Sequence, residues 1–325
     1  MTERFRTVGI DIGGTNIKIA TLWSDGELLH ATQIPTNAAS GPGAALPRLI
    51  AAIEELLEKS NMSVQALRTI GMDSAGIIDP HSKQVVDSPN LRSWEGFGLC
   101  EALAEHFDVI ASLENDVNAM AYGEWKCGAG RGTQNMVALT LGTGVGGGLI
   151  LDGRLYRGAH GAAAELGHMT LDLHGPDCSC PNRGCFERHL GAAWIVERAI
   201  ERIGSDSRPS ALRGLPIEQL DPRSLSVAAD AGDAIAAEVL QEVGEMLGFA
   251  LVSIANIFDP ECIVIGGGVS RAGDRLFKPA EEVLRRRAMS IPARNVRLVA
   301  AELGDEAALI GASLLAVERL GTLDP

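Results

Sequence analysis

Val8-Gly-Ile-Asp-Ile-Gly-Gly-Thr15 and Met136-Val-Ala-Leu-Thr-Leu-Gly-Thr-Gly-Val-Gly-Gly147 decide the architecture of this chain. In the first stretch, residues 8–12 read as a short apolar strand, Gly13-Gly14-Thr15 as a turn and residues 17–22 as a second strand. Asp25-Gly26 supplies a hairpin turn into a third strand over 28–34. In the second stretch, 136–141 is a strand, 142–147 a glycine-rich turn and 148–151 a second strand. Asp152-Gly153 is again a hairpin turn, leading to Leu155-Tyr156. The order strand, Gly/Thr turn, strand, Asp-Gly, strand occurs twice, which predicts an internally duplicated α/β fold.

Outward from these stretches, apolar spacing predicts helices over 44–59 and 99–107, with strands at 69–73 and 109–113. Further helices are predicted at 194–202, 234–258, 278–289 and 306–320, and a buried strand, Cys262-Ile-Val-Ile265, runs into Gly266-Gly267-Gly268. Residues 204–223, rich in Pro, Ser and Gly, read as a surface excursion.

The 325 residues suffice for two domains with their own cores. A net charge of −14, from 42 acidic and 28 basic residues, disfavours nucleic acid and acidic membrane surfaces as partners. No apolar signal stretch opens the chain, and the most apolar helical stretch is broken by Ser253 and Asn256, so a cytoplasmic protein is expected. Of six cysteines, Cys178, Cys180 and Cys185 crowd together while Cys100, Cys127 and Cys262 are scattered; this spacing suggests a metal site, not a disulfide framework.

Two glycine-rich turns, each with a threonine, can aim backbone N–H groups and hydroxyls at phosphate oxygens, because a Cβ there would block the approach. The common alternatives fit poorly. GxxxxGK[ST] is absent, and a dinucleotide-binding turn opens into a helix, whereas Gly147 leads into a strand and hairpin.

Asp11-Ile-Gly-Gly-Thr15, Leu141-Gly-Thr-Gly-Val145 and Ile265-Gly-Gly-Gly-Val269 resemble the two phosphate motifs and the adenosine motif of the actin-like, hexokinase-type ATPase fold. With the cysteine cluster, the chain resembles the ROK family of bacterial sugar kinases and repressors over roughly 8–314. The resemblance implies a duplicated ribonuclease H-like fold of two domains with ATP in the cleft between them. Residues 1–118 with the helix at about 306–325 would form the smaller domain, and 119–305 the larger. It further implies that Asp11 holds Mg²⁺ through water. Gly13, Gly14, Thr15, Asn16, Lys18, Gly142, Thr143 and Gly144 would serve the phosphates, and Gly266, Gly267 and Gly268 the adenosine.

Leu113-Glu-Asn-Asp-Val-Asn-Ala119 ends a strand and begins a helix. A kinase needs a carboxylate near the accepting alcohol to receive its proton. Asp116 fits, yet Asp116 or Asn115 could equally cap the helix, and spacing alone favours the cap. The ROK resemblance reverses that preference, implying Asp116 as general base and Asn115 as a sugar-binding residue.

Glu165-Leu-Gly-His168, Cys178-Ser-Cys180 and Cys185-Phe-Glu187 supply one histidine and three cysteines, the donor set of a closed tetrahedral zinc site with a structural role. Gly184 permits the sharp return to Cys185. Fixing these ligands would also fix Glu165 and Glu187, whose oxygens can accept hydroxyl protons from a sugar. The resemblance implies that both glutamates bind sugar and that His168 serves zinc and sugar with its two nitrogens. Pro181 and the stretch Arg188-His189-Leu190-Gly191 depart from the family pattern. Gly76, after Ala75, and Asn90 are weaker sugar-cleft candidates, since turns use the same residues.

The function expected is transfer of ATP's γ-phosphoryl group to a hexose, glucose first, with fructose, mannose or an N-acetylhexosamine as alternatives. A sugar-responsive repressor is disfavoured because few residues precede Val8, and a catalytically dead sensor because Asp11, Asp116 and both glycine turns are intact. A homo-oligomer, dimer or tetramer, is expected from the family.

Overall fold

The structure, a computed structural model, describes residues 4–88 and 91–323. Two five-stranded mixed sheets follow one plan. In the first, β1 (Arg6–Ile12), β2 (Asn16–Trp23) and β3 (Leu28–Pro35) form an antiparallel meander. Helix α1 (Pro42–Lys59) leads to β4 (Leu67–Ser74), parallel to β1. A separate small hairpin follows, β5 (Ile77–Ile78) with β6 (Val85–Asp87). Then α2 (Leu99–Phe107) returns the chain to β7 (Ile110–Asn115), parallel to β4, giving the order β3-β2-β1-β4-β7. Alternate apolar residues of β1 and β2 (Val8, Ile10, Ile17, Ile19) pack with Leu49, Ile53 and Leu57 of α1 in one core.

Helix α3 (Asp116–Cys127) crosses to the second sheet. There β8 (Met136–Leu141), β9 (Val145–Leu151) and β10 (Arg154–Leu155) form the meander. After α4 (Glu187–Leu190), α5 (Ala192–Ser205), α6 (Pro222–Asp230) and α7 (Ala234–Phe258) comes β11 (Cys262–Gly266), parallel to β8. Helices α8 (Asp274–Arg287) and α9 (Ser290–Asn295) lead to β12 (Arg297–Ala300), parallel to β11. The order β10-β9-β8-β11-β12 repeats that of the first sheet, as the duplicated motifs predicted. Val137, Leu139, Ile263 and Ile265 form a second core with the buried faces of α7 and α8.

The last helix, α10 (Ala307–Leu323), returns to the first sheet and lies against α3, β1 and β4. Glycines make this close approach possible. A Cβ on Gly311 would stand 1.8 Å from the carbonyl oxygen of Ala119, and one on Gly71 would stand 1.9 Å from that of Ala312. A third core, with Leu22, Met120, Ala121, Ala138, Val264, Leu309 and Ile310, joins residues of both sheets to α3 and α10. The expected domain boundary at 118 therefore falls inside α3, a helix shared by the two halves.

Several elements differ from the sequence reading. The second glycine run is not all turn: β9 begins at Val145, so Gly146 and Gly147 are strand residues together with Gly148, which was expected there. Their bareness serves packing, since a Cβ on Gly146 would lie 2.4 Å from Val117 Cγ2 and one on Gly148 would lie 2.6 Å from Ala121 Cβ. Helix α6 starts at the end of the supposed surface excursion, where Asp221 and Ser224 form a capping box around Pro222. Helix α9, the edge strand β12 and the β5–β6 hairpin are too short to show a clear period. Among the described residues, no helix is long and apolar enough to cross a membrane.

Candidate active site

The parallel strands of both sheets end at one crevice, the usual place for ligands in open α/β sheets. Asp11 lies one residue before the end of β1, level with Asp73 on β4 and, one strand further, Glu114 on β7. Gly13 to Asn16 turn the chain from β1 to β2; Gly13 N–H donates to Asn16 O at 3.0 Å, and Gly14, Thr15 and Asn16 are exposed. Lys18 Nζ stands 3.2 Å from Asp11 Oδ2. In the second sheet, Gly142, Thr143 and Gly144 connect β8 to β9, with Gly142 N–H donating to Gly144 O at 2.9 Å. Gly266 ends β11, and Gly267 and Gly268 follow it, exposed. Gly267 has φ +87°, and a Cβ there would meet Leu141 O at 2.4 Å, so the turn requires glycine.

Asp116 opens α3 at the junction of two hollows. One, of about 710 Å³, is lined by Gly76, Asn115, Gly142 to Gly147, Glu165, His168 and Glu187 among others. The other, of about 310 Å³, is lined by Asp11, Gly266, Ser270, Arg271, Gly304 and Asp305. Asp116, Val117, Thr140 and Gly267 face both. Burial pushes the Asp116 carboxyl up to about 6, and the negative charge of Asp11 adds to the rise; the Val117 N–H and the Asn115 side chain oppose it.

Asn115 is the helix cap. Its Oδ1 accepts from Val117 and Asn118 N–H at 3.0 Å each, and its Nδ2 donates to Gly76 O at 3.1 Å and Asp116 Oδ1 at 2.9 Å. Asn115 therefore caps α3, and the bond from its Nδ2 fixes the neighbouring Asp116 carboxyl. Arg157 Nε donates to Glu114 Oε2 at 2.6 Å, tying the end of β7 to the segment after β10.

The soft donors gather as expected. His168, Cys178, Cys180 and Cys185 place their ligand atoms within 4.8 Å of one another. Cys180 Sγ to Cys185 Sγ is 3.7 Å, as is Cys178 Sγ to His168 Nδ1. Bonds of about 2.3 Å to sulfur and 2.0–2.1 Å to nitrogen give tetrahedral edges of roughly 3.5–3.8 Å, so the set fits a zinc ion. Burial opposes ionisation of Cys178, yet the Cys180 N–H and the side chains of Cys180, Cys185 and His168 bring its thiol down to about 7. Burial and the neighbouring thiols push Cys185 up to about 12. Gly184 has φ +61°, and a Cβ there would stand 1.7 Å from Asp172 O, so this return requires glycine too. Pro181 is exposed in a turn closed by Cys178 N–H to Asn182 O at 3.0 Å, and the donor set assembles around it.

Glu187 Oε2 accepts from Val145 N–H at 3.0 Å, which couples the carboxylate after the cysteine cluster to the second glycine turn. Glu165 follows Ala164, a non-glycine residue held at φ +68° beside the cleft. Gly76, at φ +110°, fits under Asp87 O, where a Cβ would be 2.2 Å away. Asn90 lies outside the described residues. Sequence reasoning missed Asp87, Thr140, Arg271 and Asp305 on the cleft walls, and Asp73 beneath them. Only Asp73 had a usable signal, an acid on an otherwise apolar strand, Thr69-Ile-Gly-Met-Asp73.

Known proteins share this fold. The sequence profile of the ROK family matches residues 7–319. A glucokinase of Thermotoga maritima is 36% identical over 322 residues, covering 98% of this chain and 99% of that protein. A ROK family glucokinase from Streptomyces griseus, solved with glucose and AMPPNP, superposes with a TM-score of 0.80 at 31% identity, over 96% of this chain and 99% of that one. A ROK family transcriptional regulator, a homologue of the E. coli MLC protein, superposes with a TM-score of 0.86 at 27% identity, over 96% of this chain and 78% of that one.

Proposed function

The chain belongs to the ROK family, and on that premise we propose that it is an ATP-dependent hexokinase whose preferred acceptor is glucose. The observation that carries this is the place of Asp116, a half-buried carboxylate facing both the glutamate-lined hollow and the hollow beside Asp11 and the adenosine turn. The larger hollow takes the sugar. Glu165, Glu187 and the His168 nitrogen that does not face Cys178 meet its hydroxyls, with Gly76 and Asn115 at its edge. The smaller hollow takes ATP, with Gly13, Gly14, Thr15, Asn16, Lys18, Gly142, Thr143 and Gly144 toward the phosphates and Gly266 to Gly268 under the adenosine.

As the sugar's 6-hydroxyl oxygen bonds to the γ-phosphorus, its proton passes to an Asp116 carboxylate oxygen and the bond to the ADP oxygen breaks. Asn115, held by four hydrogen bonds, keeps Asp116 pointed at that hydroxyl. Magnesium supplies charge neutralisation on the phosphates, and the hard oxygens of Asp11 suit it. Zinc on His168, Cys178, Cys180 and Cys185 would have no open coordination position, so those residues hold Glu165 and Glu187 in place instead of entering the chemistry.

The same proposal assigns the first sheet with α10 to one domain and the second sheet to the other, and extends to a cytoplasmic homo-oligomer. The exposed side chains Ile257, Met289 and Ile291 are candidates for a subunit contact. Fructose, mannose and N-acetylhexosamines remain the alternative acceptors. The regulator likeness makes DNA binding the result to look for on the other side. ADP release, measured across a sugar panel, should be sugar-dependent and strongest with glucose. No sugar-dependent release from zinc-loaded protein, together with sequence-specific binding of DNA, would overturn the proposal.

A further inference from the structure

Asp73 has no place in the chemistry described above, yet it is fully buried and neither carboxylate oxygen accepts from any N–H or hydroxyl; the group within its reach is another acid, the Asp11 carboxyl. Leaving such a group in the interior costs several kcal/mol unless something neutralises it. Its ladder partner on β1 is Asp11. Paired residues of neighbouring strands lie on one face of the sheet about 4.8 Å apart. Asp11 reaches the nucleotide hollow and Asp73 sits behind it, with Asp116 close enough for its charge to be felt at Asp73. Lys18 answers one of these three carboxyls, through Asp11 at 3.2 Å. Two carboxylates bound to one magnesium ion bring their oxygens to roughly 3 Å, a span that neighbouring strand positions can supply.

We propose that Asp73 and Asp11 together form a two-carboxylate seat for a divalent cation on the nucleotide side of the cleft, so that the cation binds before any nucleotide arrives. This rests on the kinase reading of the cleft, since it makes the nucleotide's cation a resident of the protein. In the bound state the cation takes one oxygen from each carboxylate and keeps open positions for water and phosphate oxygens, the coordination magnesium favours. Charge balance follows, with Lys18 and the cation offsetting the three acids.

Manganese serves as the probe, titrated into zinc-loaded protein without nucleotide or sugar, with free Mn²⁺ read by electron paramagnetic resonance. The wild type should bind one Mn²⁺ per chain. Asp73→Asn, which keeps the shape, and Asp73→Ser, which opens space, should each bind it at least ~10-fold more weakly. Thermal unfolding in chelator-treated buffer gives a second readout. Mg²⁺ should raise the wild-type midpoint and leave Asp73→Asn unmoved, while the variant should exceed the wild type when metal is absent. Wild-type protein that binds no Mn²⁺ without nucleotide, or an Asp73→Asn variant that binds it equally well, would overturn the proposal and leave a proton shared with Asp11 as the neutralising agent. Neither result touches sugar-dependent ADP release, so this inference and the kinase reading fail separately.

Discussion

Replacing Asp116 with asparagine should move activity and stability in opposite directions. The carboxyl titrates near 6, against an ordinary 3.8, chiefly because it is buried. The shift is roughly two units, and at 1.36 kcal/mol per unit the ionised group costs the folded state up to about 3 kcal/mol. The raised value means that the native state holds its proton at pH values where the unfolded chain has lost it. The cost is therefore absent below about 3.8, grows as pH rises toward 6, and is fully present at pH 7–8. Asparagine keeps the bond from Asn115 Nδ2, now at 2.9 Å from Oδ1, and carries no charge. At pH 8 the variant should unfold several degrees above the wild type, since ~1 kcal/mol moves the midpoint of a unit of this size by roughly 2–4 °C. That gain should shrink as the pH is lowered from 6 to 4. Turnover should fall by roughly 10²–10⁴-fold, the usual contribution of a general base. Scanning fluorimetry across pH, with coupled ADP assays on the same preparations, measures both. A variant that turns over normally, or is destabilised equally at pH 5 and pH 8, would refute the assignment.

Three further outcomes follow from the site. Wild-type kcat/KM should rise about tenfold per pH unit up to about 6 and level off above it, as the Asp116 carboxylate becomes available; a profile flat between pH 5 and 7 contradicts this. Gly144→Ala places a Cβ 2.3 Å from Glu187 Oε2. Losing the bond from Val145, worth about 1.5–3 kcal/mol, should raise the sugar KM roughly tenfold to hundredfold, and the ATP KM should rise with it because the added methyl stands in the phosphate turn. Cys180→Ser should reduce zinc from about one ion per chain to near none, with sugar KM rising more than ATP KM. Elemental analysis and steady-state kinetics decide it, and a metal-free variant with unchanged sugar KM would break the link between the cluster and the glutamates.

Much of this architecture was readable because its punctuation is local. Asp25-Gly26 and Asp152-Gly153 mark hairpins whatever surrounds them, and the close spacing of Cys178, Cys180 and Cys185 foretells that their thiols gather. Gly146 was harder, because a glycine that admits a helix looks, in sequence, like one that turns a chain; only the 2.4 Å approach to Val117 separates the two. Asn115 illustrates a choice that need not be made, since capping and aiming are one geometry. Asp73 could not have been tied to Asp11 without strand register, because 62 positions separate two residues that end up paired across adjacent strands. Asp87, Thr140 and Asp305 became cleft residues only through the way loops fold over the strand ends.

The return of α10 to the first sheet has a consequence for biosynthesis. A nascent chain emerges amino end first, so β1 is made before the whole second sheet, and the helix whose Leu309 and Ile310 complete the packing around Ala20 and Leu22 is made after it. Until α10 is made, Gly9 and Gly71 face no partner on the side that it will occupy. The first half of the protein must therefore wait, incompletely covered, while the second half is made. Premature termination before residue 307 would strand that apolar surface, giving chaperones and proteases a clear mark of an unfinished molecule.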